Sequence, residues 1–175
     1  EVPNTQNHSA LMNGIYKSQR HFYDVTRKYY LLGRDQLIDD LKPADRQRVL
    51  EVGCGTARNL IVAAKQYPNA HFYGFDISQE MLLTARKNVE RAGLSNRVTL
   101  TQGDASAFKP KDLFGIDGFD RVFCSYTLSM IPPWREAIQQ AMLALAPGGE
   151  VHMVDFGNQA GLPQWFATGL RKWLE

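Results

Sequence analysis

A short β-rich segment, Arg48–Val52, runs directly into Gly53-Cys54-Gly55-Thr56, and helical spacing resumes over residues 60–66. Two glycines at this point allow a buried strand to turn sharply into a helix, and their missing Cβ atoms let a ligand lie against the backbone. The alternation then repeats. Residues 71–75 read as a second strand closed by Asp76, with Ser78 as N-cap of a helix that runs through Ala92 and stops at Gly93. Residues 98–101 form a third strand followed by Gly103-Asp104, and residues 121–125 a fourth backed by a helix over 134–145. Pro147-Gly148-Gly149 then turns the chain into a fifth strand, 150–155. Strands that alternate with helices need crossover connections, so the expected fold is α/β, a doubly wound and mostly parallel sheet covered on both faces.

Residues 8–42 carry helical spacing and many aromatics, including Tyr16, Phe22, Tyr23, Tyr29 and Tyr30, and read as a helical cap ahead of the sheet. The expected organisation is a cap over residues 1–45 and a ligand-binding domain over 46–175, joined as one structural unit. With 175 residues, of which 44% are hydrophobic, such a chain can bury a core without disulfides or a structural metal. Cys54 and Cys124 each end an apolar run, lack metal-ligand spacing, and read as free thiols on buried strands. A net charge of +2 gives no reason to expect a nucleic-acid partner. No run approaches the roughly 20 apolar residues of a membrane span, and the first residues do not resemble a signal peptide, so the expected compartment is the cytoplasm.

A lone Gly-x-Gly is as often a plain strand-to-helix turn as a ligand loop. In a dinucleotide fingerprint a third glycine would follow where Arg58 stands, and a bulky side chain there disfavours close approach of a pyrophosphate. Glu51, just before the turn, favours a cationic, phosphate-free ligand. Asp76 lies 23 residues after Gly53, where a neighbouring parallel strand delivers a carboxylate to ribose hydroxyls; the competing reading is an acid at a helix N-terminus beside the Ser78 cap. Gly103-Asp104-Ala105 has the reach to meet an adenine amino group, and is otherwise a turn.

Four stretches in order, Val49-Leu50-Glu51-Val52-Gly53-Cys54-Gly55-Thr56, Gly74-Phe75-Asp76-Ile77-Ser78, Gly103-Asp104-Ala105 and Leu145-Ala146-Pro147-Gly148-Gly149, resemble the motifs of class I S-adenosylmethionine-dependent methyltransferases. The resemblance spans about residues 46–157 and implies S-adenosylmethionine as cofactor and S-adenosylhomocysteine as product. It also implies cofactor contacts from Glu51, Gly53, Cys54, Gly55, Thr56, Asp76, Ile77, Asp104, Ala105 and Ser125. Ala57 stands where many members carry a third glycine, so a positive φ there would strain the turn. Five of the family's typical seven strands are visible, and the last two are expected to be absent.

A narrower resemblance rests on residues 23–35 (YDVTRKYYLLGRD) and 153–163 (MVDFGNQAGLP), which are similar to the betaine-lipid methyltransferases. It implies trimethylation of the amino group of a diacylglyceryl-homoserine lipid, a partner enzyme that makes that lipid, and a cap in which Tyr23 and Arg34 hold the methionine carboxylate. The segment after the fourth strand, Cys124-Ser125-Tyr126-Thr127-Leu128-Ser129-Met130-Ile131-Pro132-Pro133, contains neither an acid nor a histidine. An amine acceptor needs little base catalysis, because burial lowers its pKa, and orientation alone can supply on the order of 7 to 11 kcal/mol. Tyr126 and Tyr23 are the expected catalytic positioning residues. With Phe22 and Tyr29 they are candidates for a cation–π cage around a quaternary ammonium, at about 0.5 to 2 kcal/mol per contact. No metal site is expected.

Leu162, Trp165, Phe166, Leu170, Trp173 and Leu174 form one helical stripe flanked by Arg171 and Lys172. It reads either as a helix packed on the sheet or as a peripheral membrane contact through Trp165, Phe166 and Trp173. Two other functions share every cofactor motif: a methyltransferase for a soluble small molecule or protein, and a non-catalytic module that binds S-adenosylmethionine.

Overall fold

A computed structural model describes residues 33–155. Five strands form one sheet: β1 (Arg48–Val52), β2 (His71–Asp76), β3 (Val98–Gln102), β4 (Phe119–Ser125) and β5 (Leu145–Val154). Their order is β3-β2-β1-β4-β5, and all neighbours are parallel. Helix α1 (Arg34–Leu41) precedes the sheet, α2 (Arg58–Gln66) joins β1 to β2, and α3 (Gln79–Arg91) joins β2 to β3. The short α4 (Pro110–Phe114) lies between β3 and β4, and a 3-10 turn (Leu128–Met130) and α5 (Trp134–Leu143) lead into β5. This is the doubly wound arrangement expected from the alternation. The remainder of the helical cap and the 162–174 stripe lie outside the described residues.

Strand periodicity sorts the core into two layers. Val49, Phe72 and Phe123 face α1, α2 and α3 and pack with Leu41, Leu60, Ala63 and Leu82. Leu50, Val52, Phe75, Val122 and Cys124 face the opposite way, with Ala137 and Ala141 of α5. On that second face Tyr73, Phe114 and Phe119 meet edge to face, with centroids 5.3 to 5.8 Å apart. The three inner strands β1, β2 and β4 supply most of the buried residues, whereas the edge strands β3 and β5 are more polar and part-exposed.

Helix α3 begins as its sequence suggests, with the Ser78 hydroxyl accepting from the Met81 amide, and Gly93 follows it at φ +69°. The fifth strand differs from expectation. Pro147-Gly148-Gly149 is no turn ahead of the strand but a bulge inside it: Phe119 pairs with Leu145, and the next register pair is Arg121 with Glu150. The chain fits because a Cβ on Gly149 would lie 2.9 Å from the Phe119 carbonyl oxygen, and one on Gly118 would lie 2.9 Å from the Ala146 nitrogen. Starting the strand at Leu145 also ends α5 at Leu143, earlier than the helical spacing suggests.

From β1 the chain winds outward through β2 to β3, then returns to place β4 on the other side of β1. The two senses of winding separate the loops after β1 and β4, and this opens a crevice at their C-terminal ends, where ligands of open α/β sheets bind.

Candidate active site

The glycine turn after β1 forms one wall of the crevice. Gly53 and Gly55 have φ values of +67° and +52°, and Ala57, just before α2, has φ +64°. Gly55 has open space where a Cβ would stand, so it is required for its conformation alone. Gly53 is required twice over, because a Cβ there would run into the Thr127 side chain. Ala57 thus occupies the left-handed region that the sequence flagged, at a cost of roughly 1 to 2 kcal/mol for an L-residue.

Asp76 at the end of β2 is fixed before any ligand arrives. Its Oδ2 accepts from the Gly55 amide at 2.9 Å and its Oδ1 accepts from the Ser78 amide at 2.9 Å. The carboxylate thus organises the helix start and at the same time lines the crevice. Ile77 and Met81 provide an apolar shelf beside it. After β3, Gly103 carries no side chain because a Cβ would press on Leu113 at 2.9 Å, and Asp104 Oδ1 accepts from both the amide and the hydroxyl of Ser106. Ala105 completes that side.

The opposite wall is the loop after β4. Tyr126 and Thr127 line it together with Met130, Ile131 and Pro133. Tyr126 has φ +53°, and its amide donates to the Val154 carbonyl at 2.8 Å, so β5 holds it in a conformation rare for an aromatic residue. Burial raises the Tyr126 phenol above its ordinary pKa and Asp155 adds to this, while Arg34 opposes it. The segment after β4 has no acid of its own, but the fold brings one to it: Asp155 Oδ2 accepts from the Ser129 amide at 3.1 Å. The crevice opens to solvent, and its non-atom space, open solvent included, is about 710 Å³.

Among the expected site residues, Gly53, Gly55, Asp76, Ile77, Asp104, Ala105 and Tyr126 converge on this crevice. Glu51, Cys54, Thr56 and Ser125 do not line it. Glu51 is buried and its Oε1 accepts from Asn59 at 2.7 Å, because strand alternation turns residue 51 toward α2. Cys54 packs beside Gly74 under α2, and the Thr56 carbonyl accepts from the Asn88 side chain. Ser125 is buried with its hydroxyl unbonded among the described residues. Arg34 is buried at the start of α1 and acts on Tyr126 through its charge. Tyr23, Phe22 and Tyr29 lie outside the described residues. Burial pushes the Cys124 thiol up to about 12 and the Cys54 thiol well above its usual value, so both stay protonated and serve as packing groups.

Sequence reasoning missed Met81, Thr127, Met130, Ile131 and Pro133 on the crevice walls. Met81 had a legible signal, since it stands on the first turn of a helix that starts beside Asp76. The loop residues fall in the segment after the fourth strand that the sequence singles out, but which of them face the crevice depends on the 3-10 turn.

A family model described as a methyltransferase domain matches residues 43–174. The ubiquinone/menaquinone biosynthesis C-methyltransferase UbiE of Paracoccus denitrificans is 27% identical over 164 residues, covering 90% of this chain and 64% of that protein. A demethylmenaquinone methyltransferase of Listeria welshimeri is 29% identical, covering 81% of this chain and 58% of its own length. The chain thus spans about three fifths of the curated relatives it matches. The crystal structure of an S-adenosylmethionine-dependent methyltransferase from Thiobacillus denitrificans, in complex with S-adenosyl-L-homocysteine, superposes with a TM-score of 0.64. It is 19% identical and the match covers 86% of this chain and 62% of that one, a likeness of fold.

Proposed function

Because the chain belongs to the methyltransferase-domain family, we propose that it transfers methyl groups from S-adenosylmethionine to the amino nitrogen of a lipid with an amino-acid headgroup, such as diacylglyceryl-homoserine. The crevice fits such a cofactor in that Gly53, Gly55 and Gly103 line it with bare backbone that a ligand can approach closely. When bound, the cofactor supplies an electrophilic methyl carbon on a sulfonium. Asp76 is the acceptor for the ribose hydroxyls, with its two oxygens already aimed by the Gly55 and Ser78 amides. Ile77, Met81 and Ala105 line the crevice where they would flank the adenine, and Asp104 would accept from its amino group. Glu51 through Asn59, Cys54 under α2 and Thr56 through Asn88 brace the turn, and Arg34 would take the methionine carboxylate.

The observation that carries the acceptor class is the wall after β4. It presents Tyr126, Thr127, Met130, Ile131 and Pro133, a surface that is apolar and hydroxylic. Such a wall positions a neutral amine and excludes water, and the partly buried Asp155 near Tyr126 would stabilise the positive charge that forms on nitrogen as the methyl is transferred. Tyr126, together with Tyr23, orients the headgroup, and the aromatic face suits the quaternary ammonium that successive methylation produces. Trp165, Phe166 and Trp173 would bring the protein to the membrane surface where the lipid resides. No helix among the described residues is long and apolar enough to cross a membrane.

The names of the relatives favour a second reading, transfer to a ring carbon of a quinone precursor, which is also an amphiphile. Incubating the protein with labelled S-adenosylmethionine and, separately, diacylglyceryl-homoserine or demethylmenaquinol separates the two. Label in a quaternary headgroup is the expected result; label only in the quinol would replace the amine acceptor by a carbon one.

A further inference from the structure

Thr127 stands where the glycine turn and the wall after β4 meet, and it touches both. Its hydroxyl lies 3.2 Å from the Gly53 carbonyl oxygen and 3.2 Å from that of Ser125. A hydroxyl has one proton and donates to one of these carbonyls at a time: the bond to Gly53 ties the end of β1 to the end of β4, whereas the bond to Ser125 is local to the chain leaving β4. The methyl acts on the same pair, since it occupies the volume that a side chain at position 53 would need.

The neighbouring residues make this contact rigid. Tyr126 is held at φ +53° by its bond to Val154, so the chain leaves β4 through a constrained position. The Met130 amide donates to the Thr127 carbonyl at 3.0 Å, and this closes the 3-10 turn that aims Met130 at the crevice. A displacement of Gly53 therefore reaches Met130 through one side chain and one short turn.

We propose that Thr127 is a positioning residue that clamps the glycine turn to the acceptor wall and couples ligand binding on the two sides of the crevice. The inference rests on the methyl-transfer reading for the identity of those ligands. Because coupling is reciprocal, a cofactor that orders the turn also orders the wall, and an acceptor returns the effect.

The test compares Thr127→Val, Thr127→Ser, Gly53→Ala and the double variant Gly53→Ala/Thr127→Ser in the full chain, reading S-adenosylhomocysteine affinity by calorimetry and folding by thermal melting. Thr127→Val keeps the shape and loses the hydrogen bond, so affinity is expected to fall about three- to tenfold, whereas Thr127→Ser stays within about twofold. Gly53→Ala should weaken binding strongly. The double variant should bind several-fold better than Gly53→Ala alone, because the obstructing methyl is gone. A Thr127→Val protein with wild-type affinity, or effects at 53 and 127 that are simply additive, overturns the proposal. If the variants show this non-additivity but the wild type methylates neither diacylglyceryl-homoserine nor demethylmenaquinol, the acceptor reading fails and the clamp stands. Failure of the wild type to bind S-adenosylhomocysteine sinks both.

Discussion

Each oxygen of Asp76 accepts one backbone amide, and an asparagine cannot reproduce that pattern because one of its two terminal atoms is a donor. Asp76→Asn sets an NH2 group against either the Gly55 or the Ser78 amide and removes a charge from the proposed ribose contact. Hydrogen bonds to charged groups contribute about 1.5 to 3 kcal/mol, so S-adenosylhomocysteine affinity should fall by at least about tenfold, measured by calorimetry on protein whose melting curve remains cooperative. Ala57 works differently. Glycine there would relieve roughly 1 to 2 kcal/mol of left-handed strain. It would also forfeit about 0.8 kcal/mol of buried methyl and about 0.4 to 1 kcal/mol through the freer unfolded chain, so the terms nearly cancel. This balance accounts for an alanine at φ +64° in the turn.

At the scale of elements, the crevice depends on how closely α2 lies on β2. A Cβ added to Gly74 would stand 2.5 Å from Leu60 Cδ1 and 2.9 Å from Cys54 Cβ, so this glycine sets the spacing of the helix that begins at the glycine turn. Gly74→Ala should destabilise the fold by about 1 to 3 kcal/mol through overpacking, seen as a lower urea midpoint at unchanged slope. An unchanged midpoint would mean that α2 can shift outward without loss. The bulge in β5 has a similar geometric role. It lets the strand pair with β4 along both of its halves and still deliver Val154 and Asp155 to Tyr126 and the 3-10 turn.

For the molecule as a whole, burial of the thiols and the phenol has a consequence at high pH. The pKa of Cys124 rises from 9.0 to about 12 in the fold, and those of Cys54 and Tyr126 also rise. A group whose folded pKa is raised contributes its stability fully below the unfolded pKa, because the unfolded chain then holds no fewer protons. That contribution declines as pH climbs through the window between the two values. Stability should therefore fall between pH 9 and about 12, and Cys124→Ala should make this fall shallower. Denaturant midpoints measured across that range decide it, and equal slopes in the two proteins would show that Cys124 is not among the groups responsible.

The alternation of short apolar runs with helical spacing was enough to define the doubly wound sheet, because period and punctuation are local properties that survive in one dimension. The same holds for Gly53, Gly55, Asp76, Ile77, Asp104 and Ala105, which follow strand ends directly; a strand end in such a sheet has one place to go. Residues whose direction depends on alternation or on a distant partner were not legible. Glu51 and Cys54 sit in the same motif as the glycines, yet the pleat turns Glu51 toward Asn59 and packing tucks Cys54 under α2. The segment after β4 contains no acid, and only the pairing of β4 with β5 brings Asp155 to Ser129. The contact between Thr127 and Gly53 joins positions 74 residues apart, so no local pattern encodes it. The chain's own order determined which strand ends surround the crevice; the tertiary structure decided which side chains face it, because orientation is set by neighbours that the sequence does not place side by side.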